Sequence, residues 1–343
     1  MNTSASEAVA ADDSSKASSA AETVGASGEK TAAAPRISVK TNLVSVMIPT
    51  FNRPVLFEMA LNSALMQDYP QVEVLVCDNS TNNETERRIQ KYLSDPRLTY
   101  KRNRDAKTKE ENFAPFEEMA HGEYLQWLMD DDILADKKLS KMMDVFLTRD
   151  NVSLVTSQRM VIDIDTNPKQ QIKFPFPVKA PYTIYPAEFV VWLCLRESHN
   201  AFGEPTTYLF RRRDLTHHYW RAESKGLKVI SDVAMGVEVL EKGDFAIFKE
   251  PLSFFRRHEG QEGQQKDVIL LSRIEWDMLI REYLERKVFP LEYSDYLFFL
   301  EKNVNEYERS LFTFNPIANR RVSSAMWDRY TAFIAEARKK LNR

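Results

Sequence analysis

Between Val44 and Asp132 the chain alternates short apolar runs with stretches of helical spacing, and three of those runs stop at a polar cluster. Val44-Ser45-Val46-Met47-Ile48 is largely β-branched and ends at Pro49, the pattern of a buried strand. From Arg53 to Gln67, Leu56, Met59, Ala60, Ser63 and Ala64 recur at helical spacing, and Pro54 suits a first helical turn. Val72 to Cys77 predicts a second strand, Glu84 to Leu93 a helix, and Leu98 to Tyr100 a third strand. Glu110 to Ala120 then predicts a helix, and Tyr124 to Met129 a fourth strand. Strands alternating with helices belong to an α/β fold, an open, doubly wound, mixed or mostly parallel sheet with helices on both faces. Ligands of such sheets bind at the carboxyl ends of strands. Thr50-Phe51-Asn52-Arg53, Asp78-Asn79-Ser80 and Asp130-Asp131-Asp132 all fall there. They are distant in sequence, and this fold makes them converge.

Three consecutive carboxylates at a strand end repel one another, and partial burial dilutes that repulsion poorly. A divalent cation removes the conflict. Mg2+ and Mn2+ are hard ions that favour carboxylate oxygens, and Mg2+ often shares its shell with substrate phosphates. The plainer alternative is a solvated acidic turn before a helix, where Asp is a good N-cap. No GxGxxG follows the first strand and no GxxxxGK[ST] occurs, which disfavours a dinucleotide-binding domain and a P-loop NTPase. Without a glycine-rich cradle, a metal is the better partner for a bound diphosphate.

Composition narrows the classes further. The 343 residues are 43% hydrophobic and 28% charged, with a net charge of −3. That is globular, without the basic excess that nucleic-acid binding needs. No run nears the roughly 20 apolar residues of a membrane span. Cys77 and Cys194 sit in apolar runs and read as free thiols of a reducing, cytoplasmic compartment, with a single disulfide left open. Residues 1–36 are rich in Ala, Ser, Glu and Thr and predict a disordered tail. They lack the apolar core of a secretory signal, and their acidic residues argue against a transit peptide.

Beyond the triplet, Val152–Thr156, Met160–Ile162, Tyr208–Phe210 and Phe245–Phe248 are strand-like, and Pro186–Leu195 and Ser231–Leu240 helical. From Asp267 onward the pattern is mostly helical. Leu270, Leu271, Ile274 and Met278 form an apolar stripe there, which is more often core than interface. His217-His218 reads as a solvated turn, and Asn319-Arg320-Arg321 as a basic patch too small to bind a membrane.

An ordered set of motifs carries a family resemblance. Val46 to Arg53, Gln67-Asp68-Tyr69-Pro70, the strand into Asp78-Asn79-Ser80, and Gly122-Glu123-Tyr124 before the triplet make up its first half. Gly203-Glu204-Pro205-Thr206, Phe210-Arg211-Arg212, Asp232 at a helix start, Gly243, Pro251-Leu252, and Arg256 with His258 make up its second. Together, over roughly residues 43–262, they resemble family 2 glycosyltransferases of the GT-A fold. The resemblance implies a nucleotide-diphosphate sugar donor, often a UDP-sugar, transfer with inversion, and Mn2+ or Mg2+ as cofactor. It puts Pro49, Thr50, Phe51, Asn52 and Arg53 at the edge of the nucleoside pocket and Asp78 on the base. Asn103, Arg104 and Asn112 fall where the family contacts donor. Asp130 or Asp131 would face the ribose or sugar, and Asp132, with Asp130 and His258, would reach the metal. Arg256 and Arg257 would steer diphosphate or simply be solvated. Asp232 resembles the catalytic base, and Glu204 would line the acceptor side. The chemistry agrees: inverting transfer needs a base for the acceptor hydroxyl and positive charge for the leaving diphosphate, supplied from opposite sides. Two departures stand out. Ser231-Asp232 occupies a place where Glu-Asp is common, and no Trp follows Arg256-Arg257-His258, so a processive synthase is not expected.

The expected organisation is a tail over 1–36, a GT-A domain over 37–265 and a helical region over 266–343. Within the domain, 37–135 would bind the nucleotide sugar and 136–265 the acceptor, a glycan, lipid-linked or protein hydroxyl, with no nucleic acid. The C-terminal helices are candidates for a cap, for acceptor binding, for homo-oligomer contact, or for peripheral attachment to the inner face of a membrane. Two rivals remain. A sugar-nucleotidyltransferase usually has a glycine-rich basic loop after the first strand, which Pro49 to Arg53 is not. A non-catalytic binding subunit would not need the intact triplet and Asp232.

Overall fold

The computed structural model describes residues 40–215, 226–258, 266–313 and 322–343. The tail read over 1–36, His217-His218 and Asn319-Arg320-Arg321 lie outside them. The first half runs β1 (Lys40–Thr50), α1 (Pro54–Leu65), β2 (Val72–Asp78), α2 (Glu84–Ile89), β3 (Leu98–Arg102), α3 (Lys109–Phe113), α4 (Phe116–Met119) and β4 (Gly122–Trp127). There follow β5 (Ile133–Leu134), α5 (Lys138–Thr148), β6 (Val152–Ile162), β7 (Pro168–Ile172), β8 (Tyr182–Tyr185), α6 (Ala187–Glu197) and β9 (Leu209–Arg211). The chain continues through α7 (Ser231–Leu240), β10 (Asp244–Arg256), α8 (Lys266–Arg286), α9 (Tyr293–Thr313) and α10 (Ser324–Lys340).

The ten strands form one sheet in the order β3-β2-β1-β4-β9-β6-β10-β5, with β7 on β6 and β8 on β10. Pairing is parallel from β3 to β4 and mixed beyond, where β9 runs antiparallel to both β4 and β6 while β6 and β10 are parallel. Alternation along β1 divides the core between the two faces. Val44, Val46 and Ile48 pack with Phe57, Ala60 and Leu61 of α1 and Leu139, Met142 and Phe146 of α5. Met47 joins Leu75, Cys77 and Trp127 on the other face, against α6 and α7. The C-terminal helices extend that same cluster through Trp276, Leu279, Tyr283, Phe299 and Tyr330. Leu270, Ile274 and Met278 pack against it, half-buried.

Local chemistry explains where elements break. Pro54 opens α1. The single helix expected over Glu110–Ala120 is two short ones, because Pro115 has no N–H and its ring crowds the preceding turn. β10 passes through Pro251 by shifting register against β6 on either side of it, as a residue without a donor requires. Cys77 and Cys194 are free and buried, and burial pushes both thiols up to about 12. No helix among the described residues is long and apolar enough to cross a membrane.

Candidate functional site

The parallel strands deliver their polar ends to one side of the sheet. β1 and β2 are in register from Val44↔Val72 to Thr50↔Asp78, and β4 lies on the other side of β1. The Asp triplet follows β4 directly and is held from three directions. Asp130, 6% exposed, accepts hydrogen bonds at Oδ2 from the Thr50 hydroxyl (2.9 Å) and the Phe51 N–H (3.2 Å). Its Oδ1 pairs with Arg53 at 3.1 Å. Asp131 pairs with Arg53 at 2.9 Å and lies 3.0 Å from His258 Nε2. Asp132, 2% exposed, accepts from the Thr206 hydroxyl at 2.6 Å and from the Arg256 N–H at 3.0 Å. The triplet thus ties together the loop after β1, the Pro205–Thr207 turn and the end of β10.

Two of these carboxylates are costly to ionise where they stand. Burial, reinforced by Asp131, pushes Asp130 up to about 6 despite Arg53, Thr50 and the Phe51 N–H. Burial and Asp131 also hold Asp132 well above the ordinary carboxylate range. Such a site suits a cation. Among the described residues, no three or more His, Cys, Asp or Glu side chains are arranged to hold a metal alone. The donor set instead fits an ion held by one or two carboxylates and completed by phosphate oxygens, an ordinary arrangement for Mg2+.

A cavity of about 930 Å3 opens over the triplet. Its lining includes Pro49, Thr50, Phe51, Arg53, Asn79, Asp130, Asp131 and Asp132, together with Glu204, Pro205, Val229, Asp232, Phe255 and Arg257 from later in the chain. Asp232 sits in the first turn of α7, half-buried. Burial pushes its carboxyl up to about 6, against the Val233 N–H and Lys109, and Glu204 adds to the rise. Glu204 itself is clasped by Arg159, whose Nη2 donates to Oε1 at 2.8 Å.

Several expected donor contacts are placed elsewhere. Asp78, assigned to the base, is fully buried, with Oδ1 taken by the Ser80 N–H (2.8 Å) and Oδ2 by the Tyr100 hydroxyl (2.8 Å) and Arg102. The reason is its flank: β3 presents Tyr100 and Arg102 to it, and only its neighbour Asn79 reaches the cavity lining. Asn103 and Arg104 are not among the lining residues: the Asn103 amide donates to the Glu111 carbonyl at 3.0 Å, and Arg104 pairs with Glu86 at 2.9 Å. Asn52 joins two loops through the Thr81 N–H (2.9 Å) and Ser80 (2.8 Å). Asp130 has both oxygens engaged by protein donors, which makes it a tie between loops as well as part of the lining. Arg256 is fully buried, its guanidinium donating to the carbonyls of Asp131, Asp163 and Ile164, so it is neither solvated nor aimed at the cavity. Asn112 does line the cavity. Sequence reasoning missed Lys107, Thr108 and Lys109, whose only signal was a basic pair flanking Thr108 where α3 begins.

An open α/β sheet here gathers a carboxylate triplet and a separate helix-borne Asp around one cavity at its strand ends, where ligands of such sheets bind. Comparison with known proteins makes the assignment. The family model for Glycosyl transferase family 2 matches residues 45–218, and the chain belongs to that family. It is 35% identical over 102 residues to the GalNAc(5)-diNAcBac-PP-undecaprenol β-1,3-glucosyltransferase of Campylobacter jejuni, a stretch of 29% of this chain and 33% of that protein. It is 28% identical over 140 residues to the UDP-Glc:α-D-GlcNAc-diphosphoundecaprenol β-1,3-glucosyltransferase WfgD of Escherichia coli, 41% of this chain and 53% of that one. The chain therefore spans about a third to a half of these curated relatives. In fold it is similar to S. aureus TarS 1–349, with a TM-score of 0.54 and 15% identity over 86% of this chain and 80% of that structure. TarS 1–349 in complex with UDP matches at 0.52 and 15%, over 80% and 73%.

Proposed function

We propose that this chain is a metal-dependent, inverting glycosyltransferase that moves a sugar from a nucleotide-diphosphate sugar to an acceptor hydroxyl. A UDP-sugar is the favoured donor, since similar proteins carry UDP or UDP-Glc in their names. The acceptor is a glycan, lipid-linked or protein hydroxyl, and the diphosphoundecaprenol-linked acceptors of two relatives favour the lipid-linked class. The observation that carries the reading is the shared cavity: Asp232 and the triplet line it from separate segments of the chain.

In this reading Asp232 accepts the proton of the acceptor hydroxyl as its oxygen attacks the anomeric carbon, and the bond from that carbon to the diphosphate oxygen breaks. The raised Asp232 carboxyl is a better base than an ordinary aspartate and is ionised at neutral pH. Lys107, Lys109 and Arg257 bring positive charge to the cavity for the departing diphosphate. Asp132 and Asp130, with His258, would hold Mn2+ or Mg2+, which would neutralise charge on the leaving diphosphate. Phe51 and the backbone of the loop after β1 edge the nucleoside, and Glu204 with Arg159 borders the acceptor side.

Calorimetric titration with UDP, with and without Mn2+, tests the donor site. Binding that requires Mn2+ and disappears in Asp132→Ala is expected. UDP binding that is equal without metal and unchanged in the variant would remove the metal from this account.

A further inference from the structure

Helix α7 carries Asp232, yet its own sequence does little to fix where it starts. Its N-cap is Ile230, which offers no side-chain cap. The missing anchor comes from α8. Glu275, 1% exposed, reaches from the C-terminal helices into the segment leading to α7. One carboxylate oxygen accepts from the Lys228 N–H at 2.9 Å. The other accepts from the Val229 N–H at 2.8 Å and the Ile230 N–H at 3.0 Å. Three consecutive amides are thus gathered on one buried carboxylate, which charge-assisted bonds hold firmly. Val229 lines the cavity, and Asp232 follows Ile230 by two residues.

The far end of α7 is tied to the same helix. Glu241, its C-cap, accepts from the Tyr283 hydroxyl at 2.6 Å and pairs with Arg286 at 2.7 Å. From Glu275 to Tyr283 is about 12 Å along a helix, close to the length of α7 at about 15 Å. Helix α8 therefore grips α7 at both ends.

We propose that Glu275 is a positioning residue for the reaction: it fixes the 228–230 segment so that Asp232 stands at its working distance from the acceptor. The proposal rests on the reading of Asp232 as base. It makes α8 a working part of the site, although Glu275 is not among the cavity's lining residues. Carboxylate chemistry is essential here, because a Gln amide nitrogen would oppose an N–H donor with another donor. Asp keeps the charge but is one methylene short.

The full chain and its Glu275→Gln, Glu275→Asp and Asp232→Asn variants would be compared for hydrolysis of UDP-glucose and UDP-N-acetylglucosamine in Mn2+, and for UDP affinity. For Glu275→Gln, kcat per UDP-binding site should fall about 10- to 100-fold, the scale of a small misplacement of a reacting group. The donor KM and UDP affinity should stay within about twofold of wild type, and Glu275→Asp should recover part of kcat. A purely structural role predicts fewer UDP-binding molecules, each with wild-type kcat, and that result would overturn the proposal. Hydrogen exchange of the wild-type amides at 228–230 gives an arm that needs no variant to fold. Protection like that of the core of α8 is expected, and exchange at open-loop rates would overturn the anchor. If Asp232→Asn turned over normally, the base reading would fail by itself, while amide protection would still judge the anchor.

Discussion

At the residue scale, three adjacent aspartates do three different things. Asp130 closes a loop, Asp131 bridges Arg53 and His258, and Asp132 joins Thr206 to the end of β10. The triplet was readable in the sequence because charge repulsion at a strand end demands an explanation. Its division of labour was not, since that depends on Thr206 and Arg256, remote in sequence and brought in by the sheet. Asp78 shows the same limit: its burial is decided by Tyr100 and Arg102 on the neighbouring strand. Thr206→Val removes the hydroxyl that orients Asp132. Outer-shell losses of this kind typically cost about 10- to 100-fold in metal affinity, and Mn2+ titration followed by UDP binding checks it. Asp232 contributes a pH dependence of definite sign. Its carboxyl titrates near 6 and must be ionised to take a proton, so kcat should rise with pH through about 6 and be lost below it. A profile flat from pH 5 to 8 would contradict that role.

At the scale of elements, the strands of the first half declared themselves through β-branched runs, and each sits where its pattern predicts. Strands β5, β7 and β8 did not. The first is two residues long, and the second, Pro168–Ile172, is polar and lies on an edge. Pairing creates these two, while β8 is β-prone but only four residues long between Pro181 and Pro186. Helix α7 was readable from its apolar spacing, but its packing was not. Gly236 lies against the Phe202 ring, where an added Cβ would come within 2.7 Å of a ring carbon. Helix propensity favours Ala over Gly by about 1 kcal/mol, whereas overpacking costs about 1–3 kcal/mol. Gly236→Ala should therefore destabilise by up to about 2 kcal/mol in urea unfolding. It should also lower turnover, because α7 carries Asp232. An increase in stability would show that the helix has room to spare.

At the scale of the whole molecule, the motifs between residues 43 and 262 were enough to indicate the family, and the match over 45–218 establishes it. The C-terminal helices carried no such motif. Their apolar stripe suggested core, and Trp276, Leu279 and Tyr283 do share the cluster that covers α6 and α7. Removing 266–343 would expose that cluster and free the amides that Glu275 holds. The shortened protein should aggregate or bind a hydrophobic dye such as ANS, and lose UDP binding. A soluble truncation with full UDP affinity would show instead that the helices are dispensable to the site. The central claim is that Asp232 and the triplet, from separate segments of the chain, serve one reaction in one cavity. The most direct test is the rate of sugar release from UDP-glucose and UDP-N-acetylglucosamine in Mn2+ by Asp232→Asn, with its UDP affinity measured alongside. A loss of about 100- to 10,000-fold in kcat, the range of a lost general base, with UDP affinity retained is the predicted result. Wild-type turnover in that variant would contradict it.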